Sequence, residues 1–249
     1  MQLSIPLSGG MYLRILVVGS CGKKKLHQST ISPTCNDLAS IDDVREWKQK
    51  PGYETTKVRN LYTGNQNREL VKGVDLLRQI EKTEVKLYII SAGFGLVEEN
   101  DLLPSYDCSF SRMRKSQIQE RATWLKIPSD FEELLASGYD LVYLALGKNY
   151  FQTLEKDWKT KNNTMIIGFN RNLSEEKMVY IPCAHEIVST FSQYGHKIHG
   201  ITGFKGDLLR ILANHALKQK NPYRELLAWI HPVYLRDLVM KLGNIETWH

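Results

Sequence analysis

Three lysines stand directly behind a turn of small residues in Ser20-Cys-Gly-Lys-Lys-Lys25. The run before them, Leu13 to Val18, is apolar and rich in Ile, Leu and Val, and reads as a buried strand. A strand ending in Gly19-Ser20-Cys21-Gly22 lets backbone N–H groups approach a ligand, and Lys23 to Lys25 add positive charge beside the opening. That combination suits an anion held at the carboxyl end of a parallel strand. The same residues also describe a tight turn followed by a solvated basic run.

Asp107 is the carboxylate best placed for chemistry. It closes Pro104-Ser-Tyr-Asp107, at the end of a loop that leaves a second buried strand. A carboxylate there can activate water or stabilise a cationic transition state, and it can equally cap the loop at Ser109 or Phe110. Glu98, Glu99 and Asp101 read as a solvated acidic face. Tyr62, Phe94, Tyr106 and Tyr150 lie in or beside the strand-end loops. Such rings stack on nucleic-acid bases, or simply fill a core.

Two further motifs are weaker. Cys21 beside the lysines has the setting of an activated thiol, yet no histidine is placed to serve it, and its small size also suits the turn. The turn Gly200-Ile-Thr-Gly-Phe-Lys-Gly206 lacks the Gly-Lys-Ser/Thr order of a P-loop, and no Gly-x-Gly-x-x-Gly follows the first strand. Free N–H groups at a helix start beside Lys205 would still suit one phosphate, while the glycines also allow a sharp turn.

The elements that must carry these loops alternate. Strands are expected at Leu13–Val18, Val85–Ser91, Leu141–Leu146, Met165–Phe169 and Met178–Ile181. Helices are expected near Asp42–Lys50, Arg68–Glu81, Ser116–Leu125, Phe131–Ala136 (capped by Ser129-Asp130) and Tyr150–Trp158. Strand and helix in repetition predict an α/β fold, a three-layer sandwich around a central, mostly parallel sheet. The C-terminal part turns helical, with Asp207–Lys218, Tyr223–Trp229 and Pro232–Leu242. The expected division is an α/β catalytic domain over 11–220 and a helical appendage over 221–249 packed on it. His27–Asn60 is long for a first crossover and reads as an insertion, a lid or a nucleic-acid contact.

Composition narrows the setting. The 249 residues are 42% hydrophobic and 24% charged, as in globular proteins, and no run approaches the roughly 18 apolar residues of a membrane span. Met1–Gly10 lacks the features of a signal peptide and reads as a loose extension, so a cytoplasmic address is expected. A net charge of +6 favours a polyanionic partner, with basic groups at Lys23–Lys25, Arg112–Lys115 and Lys156–Lys161. Cys21, Cys35, Cys108 and Cys183 form no Cys-x-x-Cys pair and are expected as free thiols. Cys183-Ala-His185 lacks a partner cluster, so no metal is expected.

Taken in order, Ser20-Cys-Gly-Lys-Lys-Lys25, Leu61-Tyr-Thr-Gly64, Ile90-Ser-Ala-Gly-Phe-Gly-Leu96 and Pro104-Ser-Tyr-Asp107 resemble the motif series SCgKkK, LYtG, iSAkyGL and PYd. That series marks the bacteriophage replication inhibition DNA glycosylase family, and the resemblance covers about residues 13–210. It implies a uracil-DNA-glycosylase-like fold and excision of a modified base from phage DNA, glucosylated hydroxymethylcytosine being the expected one. Leu141–Leu146 running into Gly147-Lys-Asn-Tyr150 is also similar to the third strand and loop of uracil-DNA glycosylases. Two features of those enzymes are missing. The loop after the first strand has no carboxylate, and Pro182-Cys-Ala-His185 matches their His-Pro-Ser-Pro motif only distantly.

If the chemistry is glycosidic, the acid has moved and Asp107 is the expected catalytic carboxylate, with Ser20, Cys21, Tyr62, Ser91, Phe94, Tyr106 and Asn149 on the substrate. Lys23, Lys24 and Lys205 would hold DNA phosphates. No cofactor, membrane or obligate protein partner is expected. The alternatives are an N-glycosidase or deoxyribosyltransferase acting on free nucleosides, and a non-catalytic reader of modified DNA.

Overall fold

A computed structural model describes residues 12–27, 31–154, 164–171 and 178–246. The basic group at 156–161, the extension at 1–10 and residues 155–158 of the helix expected over 150–158 lie outside them. The chain begins with β1 (Leu13–Ser20), whose Ile15 to Val18 are wholly buried. Next come α1 (Ile41–Gln49), β2 (Thr55–Lys57), α2 (Val58–Leu61) and α3 (Asn65–Leu77). The strands β3 (Thr83–Ser91), β4 (Gly95–Glu98) and β5 (Leu102–Pro104) lead to α4 (Lys115–Trp124) and α5 (Ile127–Ala136). After β6 (Leu141–Leu144) and the short α6 (Lys148–Phe151) come β7 (Met165–Gly168) and β8 (Met178–Tyr180). The rest is helical: α7 (His185–Gln193), α8 (Gly200–Leu217), α9 (Pro222–Ala228) and α10 (Pro232–Gly243).

Among the described residues, six strands form one sheet in the order β4-β3-β1-β6-β7-β8, parallel except for the antiparallel edge strand β4. The fold is therefore mixed α/β with a mostly parallel sheet and a helical C-terminal region. All five expected strands are present with ends shifted by one or two residues. The hairpin partner β4 and the small β2–β5 ribbon were not expected. The reason is length: strands of three or four residues are too short to show an apolar period.

Several local expectations change. The helix after Lys126 opens at Ile127, with Pro128 in its first turn, so Ser129-Asp130 sits inside it and is not its cap. The segment Gly200–Gly206 is the first part of α8 and not a turn before it. Only Gly200 has a positive φ, at 71°; the glycines at 203 and 206 serve close packing instead. Glu99 is buried between Arg59 and Arg78 and does not belong to a solvated face.

The insertion is folded back onto the body. Thr34 bridges to Asp107, and Cys35 is disulfide-bonded to Cys108, so these two cysteines are not free thiols. Their wide separation in sequence hid a pairing that only the tertiary fold creates. Arg121, itself buried, ties the same region together by donating to the carbonyls of Ala92, Cys35 and Leu38. The bond closes a loop 73 residues long, which corresponds to about 4 kcal/mol of stability in the chain-entropy account. Reduction is accordingly expected to lower the urea midpoint by the equivalent of that amount; coincident midpoints with and without reductant would contradict it.

Candidate functional site

Strand order locates the first part of the site. From β1 the chain moves to β3 on one side, and later fills β6, β7 and β8 on the other. Neighbouring strands whose connections diverge leave a crevice at their carboxyl ends, where ligands of open α/β sheets bind. Here a cleft of about 240 Å³ is lined by Ser20, Gly22, Gly64, Asn65, Gln66, Asn67 and Thr202. Gln66, in the first turn of α3, spans the two strand ends: its Nε2 donates to Ser20 Oγ at 3.2 Å and to the Ala145 carbonyl at 3.0 Å. The start of α3 therefore faces the cleft with its helix N-terminus.

Beside this cleft, the expected motifs meet in a buried network of hydroxyls and rings. Ser91 Oγ accepts from the N–H groups of Gly93 and Phe94, which shapes the turn after β3. The same oxygen lies 2.7 Å from Tyr106 Oη, which lies 2.9 Å from Tyr62 Oη. Gly93 permits this arrangement, because a Cβ there would come within 2.9 Å of the Tyr106 ring. Phe94 stacks edge-on against Tyr106 at 5.0 Å between centroids. Burial pushes the Tyr62 and Tyr106 phenols well above their usual range, which keeps both protonated. Tyr150 Oη donates to the Cys21 carbonyl at 2.8 Å and lies 3.0 Å from Cys21 Sγ. These rings are buried against one another, so they build the wall of the site.

Lys25 lies at the centre of this network. Its backbone bridges to Tyr62, which turns its side chain inward while Lys23 and Lys24 remain exposed. The residue is 6% exposed, and its Nζ sits 4.0 Å over the Tyr106 ring. Among the described residues no hydrogen-bond acceptor reaches that nitrogen. Burial lowers the pKa of the amine, and the charges of Cys21 and Asp107 act against that shift. Asp107 itself is exposed, with its backbone N–H bonded to the Pro33 carbonyl. No hydrogen bond to its carboxylate is found among the described residues, and Ser109, not Asp107, caps the turn at Ser111.

The lowered pKa fixes a pH dependence. Unfolded, Lys25 keeps a value near 10.5, so between the folded and unfolded values the folded chain binds fewer protons. Lys25 therefore makes stability rise with pH across that window. In Lys25→Met the rise is expected to flatten when unfolding free energy is followed from neutral pH upward.

The remaining expected site residues are more scattered. Asn149 is half-buried and donates to the Phe110 carbonyl at 3.0 Å, joining α6 to the Asp107 loop. Lys205 is 9% exposed within α8, with its ammonium 5.6 Å from the Phe169 centroid, and does not stand at a helix start open to a phosphate. Cys183 donates to the Ile201 carbonyl, and burial pushes its thiol up.

A second polar cluster has no signature in the sequence. Asp207, wholly buried, accepts from the His199 backbone N–H and lies 2.7 Å from His199 Nδ1. Glu69 on α3 completes the group, and among the described residues these three are the side chains that converge as metal ligands would. Arg210 and Lys72 already neutralise Glu69, and Arg210 also approaches Asp207 at 3.8 Å. Burial alone would raise the Glu69 carboxyl, but its bond to Lys72 and the charge of Arg210 hold it below the usual range. This cluster is an ion-pair seam between α3 and α8.

Residues 47–181, more than half of the chain, match a family of unknown function, DUF6884. The chain belongs to the DUF6884 family. The matched span of this DUF6884 protein takes in Leu61–Gly64, Ser91–Leu96 and Pro104–Asp107, and leaves Ser20–Lys25 before it. No curated protein matches the chain.

Proposed function

We propose that this DUF6884 protein is a DNA glycosylase that hydrolyses the bond between deoxyribose and a modified cytosine in phage DNA, leaving an abasic site as a defence against infection. The observation that carries this reading is the meeting of Lys25, Tyr62, Ser91 and Tyr106 beside the exposed carboxylate of Asp107. Breaking a C1′–N bond develops positive charge on the sugar and negative charge on the departing base. Asp107 answers the first demand, stabilising the cationic sugar and orienting the group that attacks it. The α3 N-terminus in the cleft answers the second or holds a neighbouring phosphate. Exposed Lys23 and Lys24 grip the backbone while the base leaves the stack.

In this reading the sheet and its helices form a three-layer sandwich of the uracil-DNA-glycosylase kind. The mostly parallel sheet and the crevice at its carboxyl edge support that assignment. The acid has moved from the loop after β1 to the loop after β5. Water is the only co-reactant the chemistry requires.

The test is incubation with phage DNA carrying glucosylated hydroxymethylcytosine, followed by alkali. Strand breaks are expected on modified DNA and not on its unmodified counterpart. Binding with no alkali-sensitive sites would make the protein a reader, and turnover of free nucleosides would make it a small-molecule enzyme.

A further inference from the structure

A buried amine with no hydrogen-bond partner is costly, and a protein that needed only packing at this place could use an apolar side chain. Lys25 nevertheless places its Nζ under Tyr106 and within electrostatic reach of the exposed Asp107, on the loop where the substrate sugar would approach. The groups around it are Cys21, Tyr62, Tyr106 and Asp107, and none takes its proton in a hydrogen bond. Burial of this kind favours the neutral, nucleophilic form of a lysine, against the pull of the Tyr106 ring and the Asp107 charge.

Resting on the glycosylase reading, we propose that Lys25 is the nucleophile at C1′, so that the protein is a glycosylase with an abasic-site lyase activity. The Lys25 lone pair forms an N–C1′ bond as the C1′–N bond to the base breaks, and the bonding electrons leave with the base, which takes up a proton from solvent. Asp107 accepts a proton from the new ammonium. The C1′–O4′ bond then opens, O4′ receives that proton, and a protonated Schiff base remains between Lys25 and C1′. Loss of a C2′ proton expels the 3′ phosphate, and water hydrolyses the imine to return the amine. No oxidant or reductant enters the sequence.

The full-length protein is mixed with an oligonucleotide bearing glucosylated hydroxymethylcytosine in the presence of sodium borohydride, which reduces a Schiff base to a stable amine. A covalent protein–DNA adduct is expected, with peptide mapping of the wild-type adduct placing it on Lys25. The yield should fall at least 100-fold in Lys25→Gln. Because the site is mapped on wild-type protein, the result does not depend on how the variant folds. Released base and abasic sites without an adduct, or an adduct on another amine, would overturn this proposal and leave the glycosylase intact. Absence of base release altogether would overturn both.

Discussion

Asp107→Asn is expected to slow release of the modified base by at least about 100-fold, the scale on which a preorganised charge stabilises a transition state. The substitution should leave stability within about 0.5 kcal/mol, because the side chain is exposed and holds no internal hydrogen bond among the described residues. Binding of modified DNA should persist, since Lys23 and Lys24 are untouched. Loss of the Asp107 charge also removes a contribution that supports the Lys25 ammonium, so the amine should deprotonate at still lower pH. Unchanged base release in a correctly folded variant would remove Asp107 from the chemistry without removing the activity.

Gly206→Ala is expected to destabilise the protein by about 3 kcal/mol, an overpacking cost at a contact between backbones. A Cβ at 206 would lie 2.1 Å from the Gln66 carbonyl oxygen on α3, and no rotamer change relieves a clash with main chain. On the facing helix, a Cβ at Gly73 would meet Leu209 at 2.8 Å, so the α3–α8 crossing depends on small residues from both sides. The same seam holds Glu69 against Arg210 and seats Gln66 on the ends of β1 and β6. Pushing the helices apart should therefore also weaken whatever the cleft binds. A urea midpoint equal to that of the wild type would contradict this account of the crossing.

These two residues illustrate how far the sequence could be read. Asp107 stands out as a candidate in the sequence because it ends a loop of small and aromatic residues after a buried strand, a local pattern. Gly206 reads in the sequence as part of a turn, since a glycine suited to helix–helix approach looks locally like one suited to a bend. The long apolar strands β1 and β3 were legible from composition, whereas β4 and the β2–β5 ribbon exist only through pairing. Lys25 was hidden inside a run of three lysines. Its inward orientation follows from the bridge to Tyr62, which no local pattern encodes, although alternation in an extended segment does send neighbouring side chains to opposite faces. The Cys35–Cys108 bond and the His199–Asp207 pair are likewise products of tertiary folding.

The most direct test of the central claim is mass spectrometry of the small molecules released when the purified protein acts on DNA containing glucosylated hydroxymethylcytosine. The free modified base is expected in the soluble fraction, in amounts equal to the sum of abasic sites and strand breaks left in the DNA. Fully retained modified bases after prolonged incubation with folded protein would contradict the glycosylase.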